Sequence, residues 1–276
     1  MMKLRIYLIN ILLLTLLIPA KSQEKKWDVT RRLEDSFYWI LNSSSDNEKM
    51  RLNDSVTLII DSYVRSDSVM KHRFNSVRNL GQIESPDKKI KIVNWNLVLR
   101  DGSNRYYLYI IRRGKKKESN QVFKLTAVNS SKQISPDLVY TPENWYGAAY
   151  YAIQPFKAGN HVSYLLLGID FGSNLMTRKI IDVLNFDEKG AISFGKMCFH
   201  RNEKVKAREI LEYSSEGLIS LRLESGKLVV FDHLDPFSAG HGNSPEGFGA
   251  GLSFDGYVLK KGNWNFISDI DIKNRK

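Results

Sequence analysis

Residues 89–112 read KIKIVNWNLVLRDGSNRYYLYIIR, and their pattern is that of a β-hairpin. Lys91, Val93, Trp95 and Leu97 alternate with their neighbours, so an extended chain places them on one face. Asp101-Gly102-Ser103-Asn104 joins residue types that tolerate turn conformations. Tyr106–Arg112 is aromatic and β-branched again, as a returning strand requires.

The same texture continues downstream. Strands are expected over 121–128, 144–156, 163–169, 178–185, 192–200, 208–213, 218–223, 227–233, 255–259 and 264–267. Turn signals separate them, among them Lys157-Ala158-Gly159-Asn160, Ser214-Ser215-Glu216-Gly217 and Lys261-Gly262-Asn263. Ile219, Leu221 and Leu223 share one face while Ser220 and Arg222 take the other. That is the pattern of an antiparallel sheet with one wet side.

Upstream the texture is helical. No glycine occurs between Gln23 and Gly81. Leu33, Phe37, Ile40 and Leu41 recur at helical spacing behind Asp28 and Thr30, either of which can cap, and Ser43-Ser44-Ser45 ends that element. Met50, Val56, Ile59, Ile60, Tyr63 and Val64 mark a second helix. The fold class is therefore α+β: a helical segment over 23–82, then a mainly antiparallel β domain over 83–276. A small or irregular β-propeller is the alternative, because SPDKKIKIVNW (85–95) and SFDGYVLKKGNW (253–264) are loosely alike.

Residues 1–22 read as a secretory signal peptide. Lys3 and Arg5 precede an apolar run from Ile6 to Ile18, and Ala20-Lys21-Ser22 supplies small residues for cleavage after Ser22. The run is short of the about 20 residues of a membrane span, so no anchor is expected after cleavage. The destination is periplasmic or extracellular. Cys198 is the single cysteine, which excludes an internal disulfide and every paired-cysteine metal motif. The formal net charge of +11 is compatible with a lysine-rich solvated surface or with attraction to acidic glycans or anionic lipid. Export makes nucleic acid an unlikely partner. Arg112-Arg113-Gly114-Lys115-Lys116-Lys117 is the one dense basic run, expected at an exposed hairpin tip.

Five stretches resemble a group of uncharacterised exported proteins of Bacteroidota. They are YGAAYYAIQPFKAGNHVSYLLLGID (146–170), RKIIDVLNF (178–186), REILEYSSEGLISLRLE (208–224), LVVFDHLDP (228–236) and SFDGYVLKKGNW (253–264). The resemblance implies export from a Gram-negative cell and carries no activity, substrate or catalytic residue. Such proteins tend to place an aromatic after LLLG, where this chain has Ile169.

Several residues merit weighing as chemistry. Asp232, His233, Asp235 and His241 lie in a stretch rich in glycine. On a regular strand Asp232 and His233 point to opposite faces, so a site would combine His233 and Asp235 with His241 folding back. Two imidazoles and a carboxylate suit a single zinc or iron ion, yet the spacing matches no metal motif, and no cofactor is expected. A turn with Asp232 accepting backbone N–H groups is the simpler reading. Gly247–Leu252 lacks the strand, helix and lysine of a phosphate-binding loop. Cys198 and His200 would share a strand face as a loose thiol–imidazole pair, or Cys198 is a buried small residue. Asp170, Asp182 and Asp187 are strand-end carboxylates without an assignable partner. Trp95, Trp145, Tyr146, Tyr150 and Tyr151 either line a sugar or peptide groove or belong to the core, and strand aromatics favour the core. The preferred reading is a non-enzymatic exported protein that binds a glycan or an envelope protein. The alternative is a metal-dependent or acid–base hydrolase built around 232–241.

Overall fold

The computed structural model describes residues 28–114, 118–129, 133–173, 175–236 and 248–271. The signal-peptide reading, Lys115–Lys117 and His241 lie outside them. The chain divides between Asn79 and Leu80 into two compact units, each described by itself.

The first unit is helical. Helix α1 runs over 28–42 and buries Leu33, Phe37 and Ile40. Leu41, expected on the same stripe, is 67% exposed. Helix α2, Asp46–Val64, buries Val56, Ile60, Tyr63 and Val64. The serine run that ends α1 also starts α2: the Ser45 hydroxyl accepts the Glu48 backbone N–H at 3.4 Å, and Asp46 and Glu48 place negative charge at the helix N-terminus.

The second unit is a mainly antiparallel β body of three sheets. Sheet one holds β1 (Gly81–Glu84), β2 (Ile90–Val98), β3 (Asn104–Arg112) and β4 (Gln121–Asn129) as a meander. Sheet two holds β5 (Ala149–Ala158), β6 (His161–Asp170), β7 (Met176–Phe186) and, beyond β7, β11 (Glu209–Ser214), with the short β8 (Ile192–Phe194) also paired to β7. Sheet three runs in the order β10 (Lys204–Lys206), β9 (Phe199–Arg201), β15 (Asn263–Ile267), β14 (Phe248–Lys260), β13 (Leu228–Pro236), β12 (Leu221–Ser225). The expected hairpin pairs Ile90 with Arg112 and Val98 with Asn104. No closed barrel or propeller forms among the described residues.

Sheet two is the middle layer, and its sequence says why. Tyr164 and Leu166 of β6, with Ile180 and Leu184 of β7, pack against Ile92, Tyr106, Leu108 and Ile110 of sheet one. Leu165, Leu167, Ile181 and Val183 point the other way and meet Val229, Phe231, Tyr257 and Trp264 of sheet three. A strand buried on both faces loses the polar alternation of a half-wet strand, hence the unbroken YLLL and KII runs. Each fully buried aliphatic side chain contributes about 1.5–3 kcal/mol.

The expected strand 192–200 is cut in two. Gly195 takes φ 102°, in the left-handed region, and the chain leaves sheet two after Phe194 to enter sheet three at Phe199. The expected strand 144–156 begins only at Ala149, because Pro142–Asn144 forms a 3-10 turn closed by the Asn144 side chain, which accepts the Thr141 N–H at 2.7 Å. Strands β1 and β10 carry no alternation long enough to be legible in the sequence.

Candidate functional site

Of the four residues expected around 232–241, the fold unites two. Between Asp232 and Leu234 the β13–β14 register shifts, from Asp232 opposite Phe254 to Leu234 opposite Ala250. The bulge brings His233 against Asp255 of β14, with Nδ1 2.8 Å from Asp255 Oδ2. Asp235 approaches from the other side, its Oδ1 3.6 Å from Nε2. Gly251 makes this possible: a Cβ there would lie 2.5 Å from Asp235 Oδ2. Asp232 points away and accepts the Ser220 N–H at 2.7 Å, the structural role foreseen for it. Asp255 escaped the sequence reading because cross-strand register at a bulge leaves no local signal.

The Asp255 carboxylate is 3% exposed, and its Oδ1 is buried without a hydrogen bond. A carboxylate can only accept, so Nδ1 carries the proton and a neutral imidazole keeps its lone pair on the half-exposed Nε2. The hydrogen bond to Asp255 raises the His233 pKa, burial opposes it, and the charges of Asp255, Asp235 and Asp269 add to the rise. A folded pKa above the unfolded value contributes stability that is complete below the unfolded pKa of about 6.5. That stability is lost as pH rises through the folded value. Thermal unfolding from pH 5 to 9 should show this decline in the unaltered protein and lose it in His233→Ala. The expected difference is about 1 kcal/mol or less, because the ring is 42% exposed. Identical pH profiles for the two proteins would contradict it.

The strand-end carboxylates each serve a separate network. Asp182, on the sheet-one side of β7, accepts from Tyr146 Oη at 2.6 Å, from Arg208 Nε at 3.2 Å and from the Val183 N–H at 2.7 Å. Burial pushes its carboxyl up, against the lowering effect of Arg208, Tyr146 and the Val183 amide. Tyr146 and Tyr150 share a hydrogen bond of 3.0 Å, and Trp145 Nε1 donates to Tyr150 Oη at 3.2 Å. Trp145 and Tyr150 are buried in the core between sheets one and two, with Tyr146 packed against it. Trp95, 3% exposed, stacks on Tyr107 with the rings 5.0 Å apart. These four rings are core and hydrogen-bonded structure rather than an open platform. Asp170 is fully buried, accepting from Tyr106 Oη at 2.9 Å and from Arg178 Nη1 at 3.1 Å. Asp187 closes the β7–β8 turn, accepting the Ala191 N–H at 2.7 Å.

Cys198 is buried in the link between β8 and β9, outside any strand, and burial pushes its thiol up to about 12. A thiol held protonated is no nucleophile at neutral pH. Phe248–Leu252 belongs to strand β14 and opens no helix, so it is no phosphate loop. Among the described residues no group of three or more His, Cys, Asp and Glu is arranged to hold a metal ion, and no helix is long and apolar enough to cross a membrane.

Among the described residues a concave feature lies at one end of sheets one and two. It is a cleft of about 930 Å³ framed by residues at the β3–β4, β5–β6 and β7–β8 turns. Arg112 and Gln121 face each other across β3 and β4. Arg112 lays its guanidinium over Phe186, 4.5 Å from the ring centroid. Asn160 and Val162 supply a second wall, and Asp187, Glu188 and Lys189 a third. The turns at 112–117 and 157–160 are legible in the sequence; the β7–β8 turn and the convergence of the three are properties of the fold. No protein family, curated protein or solved structure matches the chain, so the chemistry of these sites rests on their own residues.

Proposed function

We propose that the β body is a non-enzymatic binding module of an exported protein, holding a glycan or an envelope protein in the cleft at the β3–β4, β5–β6 and β7–β8 turns. One observation carries this reading: three turns from two stacked sheets frame a cleft of mixed polar and apolar lining whose volume, about 930 Å³, is within the range of ligand sites. Loops held by a rigid sheet scaffold are where binding residues concentrate. The periplasmic or extracellular setting is part of the proposal and is supported by the signal-peptide reading of residues 1–22.

The test is a thermal-shift screen of the purified protein against glycans and envelope proteins. A true ligand at 100 times its Kd stabilises by about 2.7 kcal/mol. Val162, 38% exposed and lining the cleft, is replaced by tryptophan to fill it. Val162→Trp is expected to abolish the shift while leaving unliganded melting unchanged. Ligands that bind Val162→Trp as well as the unaltered protein would place binding elsewhere and refute the cleft.

The His233–Asp255 pair favours a second reading, an acid–base hydrolase. A buried carboxylate holding one imidazole nitrogen, with the other exposed, is how a general base is oriented. Hydrolytic activity lost in both His233→Ala and Asp255→Asn, with folding retained, would select this reading over the first.

A further inference from the structure

We infer that the cleft contains a subsite for a sugar carboxylate, with Arg112 as its anchor; the inference rests on the binding reading above. Arg112 is half-buried on Phe186, and no carboxylate pairs with it among the described residues. A guanidinium stacked on a ring keeps its N–H edge free, and that edge fits a carboxylate through two parallel hydrogen bonds. Gly190 leaves this edge uncovered. A Cβ there would stand 3.5 Å from Arg112 Nη1 and 3.4 Å from Gln121 Nε2, and its φ of 87° disfavours any side chain. The Arg112 edge and the Gln121 amide therefore open together toward the β7–β8 turn.

The rest of the lining narrows the ligand. Lys89 and Lys189 add positive charge, and neither has an ion-pair partner among the described residues. Glu118, Asp187 and Glu188 place three carboxylates among the four cations Lys89, Arg112, Arg113 and Lys189. Such a mixed wall suits a ligand with spaced rather than dense acid groups. A purely apolar ligand would strip water from the guanidinium without replacing its hydrogen bonds. An oligosaccharide with spaced acid groups satisfies both sets: its carboxylate takes Arg112, and its hydroxyls donate to the acidic wall. Val162, exposed on the second wall, gives a sugar ring an apolar surface to lie against.

The experiment is isothermal titration calorimetry with a hexamer of galacturonic acid and with the same hexamer methyl-esterified, which removes charge and keeps the sugar. The acid is expected to bind at least about tenfold more tightly, the factor of one charged hydrogen-bond pair. Arg112→Gln is expected to erase that preference with no change in melting temperature. Arg112→Lys keeps the charge but not the fork and is expected to restore only part of it. Equal affinity for acid and ester, an acid preference that survives in Arg112→Gln, or no binding of the acid at all would each overturn the inference. The acid–ester comparison needs no variant, so it stands even if Arg112→Gln folds poorly. Neutral glycans or a protein that bind and are blocked by Val162→Trp, without acid binding, would overturn this inference and keep the binding reading. Absence of any cleft ligand would remove both.

Discussion

Arg208→Ala is expected to destabilise the β body by about 3–5 kcal/mol, the cost of leaving a buried charge without its partner. Arg208 and Asp182 are both fully buried. Beyond Asp182, the guanidinium donates to the carbonyls of Ser135 at 2.6 Å, Leu138 at 2.7 Å and Phe194 at 3.0 Å, and lies 4.6 Å from the Tyr140 ring centre. One side chain thus ties residues 135–140 to sheet two. Alanine leaves a carboxylate that burial already disfavours, plus the Ser135 and Leu138 carbonyls without the donor they had, while the Phe194 carbonyl keeps the Tyr140 N–H. Urea unfolding followed by circular dichroism reads the loss directly. The paired variant Arg208→Met with Asp182→Leu removes both charges and should cost less than Arg208→Ala alone, since a buried ion pair is replaceable while half of one is not. A loss below about 1 kcal/mol for Arg208→Ala would mean that water reaches the pair.

The same residues illustrate where sequence reading runs out. Alternation placed Asp182 on β7, and composition marked it as a strand carboxylate. Arg208 was merely the first residue of an expected strand, and nothing local distinguishes an arginine that will be wholly buried from one at the surface. Its role depends on a segment some seventy positions earlier in the chain, Ser135 to Leu138. Long-range partners of this kind leave no periodic trace. Strand periodicity, in contrast, is enforced at every residue by burial on a pleated surface. That is why the hairpin at 89–112, strand β6 and strand β15 were legible to within a few residues, whereas β5 begins five residues later and β14 seven residues earlier than expected.

Strand-level reading failed where a chain changes sheet. The 192–200 segment is apolar and β-prone at Ile192, Phe194 and Phe199, yet Gly195 lets it turn from sheet two into sheet three. The break separates Cys198 from the strand that holds His200 and removes the thiol–imidazole pair that a single strand would have allowed. The candidate sites follow the same rule. His233 and Asp235 were readable from their spacing, because i and i+2 share a face. Asp255 was not, because the bulge opposite His233 resets the register. The cleft was readable only as two unrelated turns, at 112–117 and 157–160. Local chemistry can name the residues of a site, but sheet stacking decides which of them meet.

Trp264→Ala is expected to cost about 3–5 kcal/mol, at the upper end for a core truncation. Trp264 is fully buried between sheets two and three, edge-on to Phe156 with the ring centroids 5.7 Å apart. It also sits where β15 pairs in parallel with β9, its backbone N–H donating to the Cys198 carbonyl at 2.8 Å. A cavity there faces two sheets that cannot both close on it, because β-sheet backbones are held by their own ladders. Trp264→Phe should cost less than half as much, for a reason beyond volume. The indole Nε1 is buried without a hydrogen-bond partner, so phenylalanine removes an unsatisfied donor together with the lost contacts. Urea midpoints for the two variants separate these contributions. If phenylalanine costs as much as alanine, the indole nitrogen is satisfied in solution, and packing around it is looser than the buried ring implies.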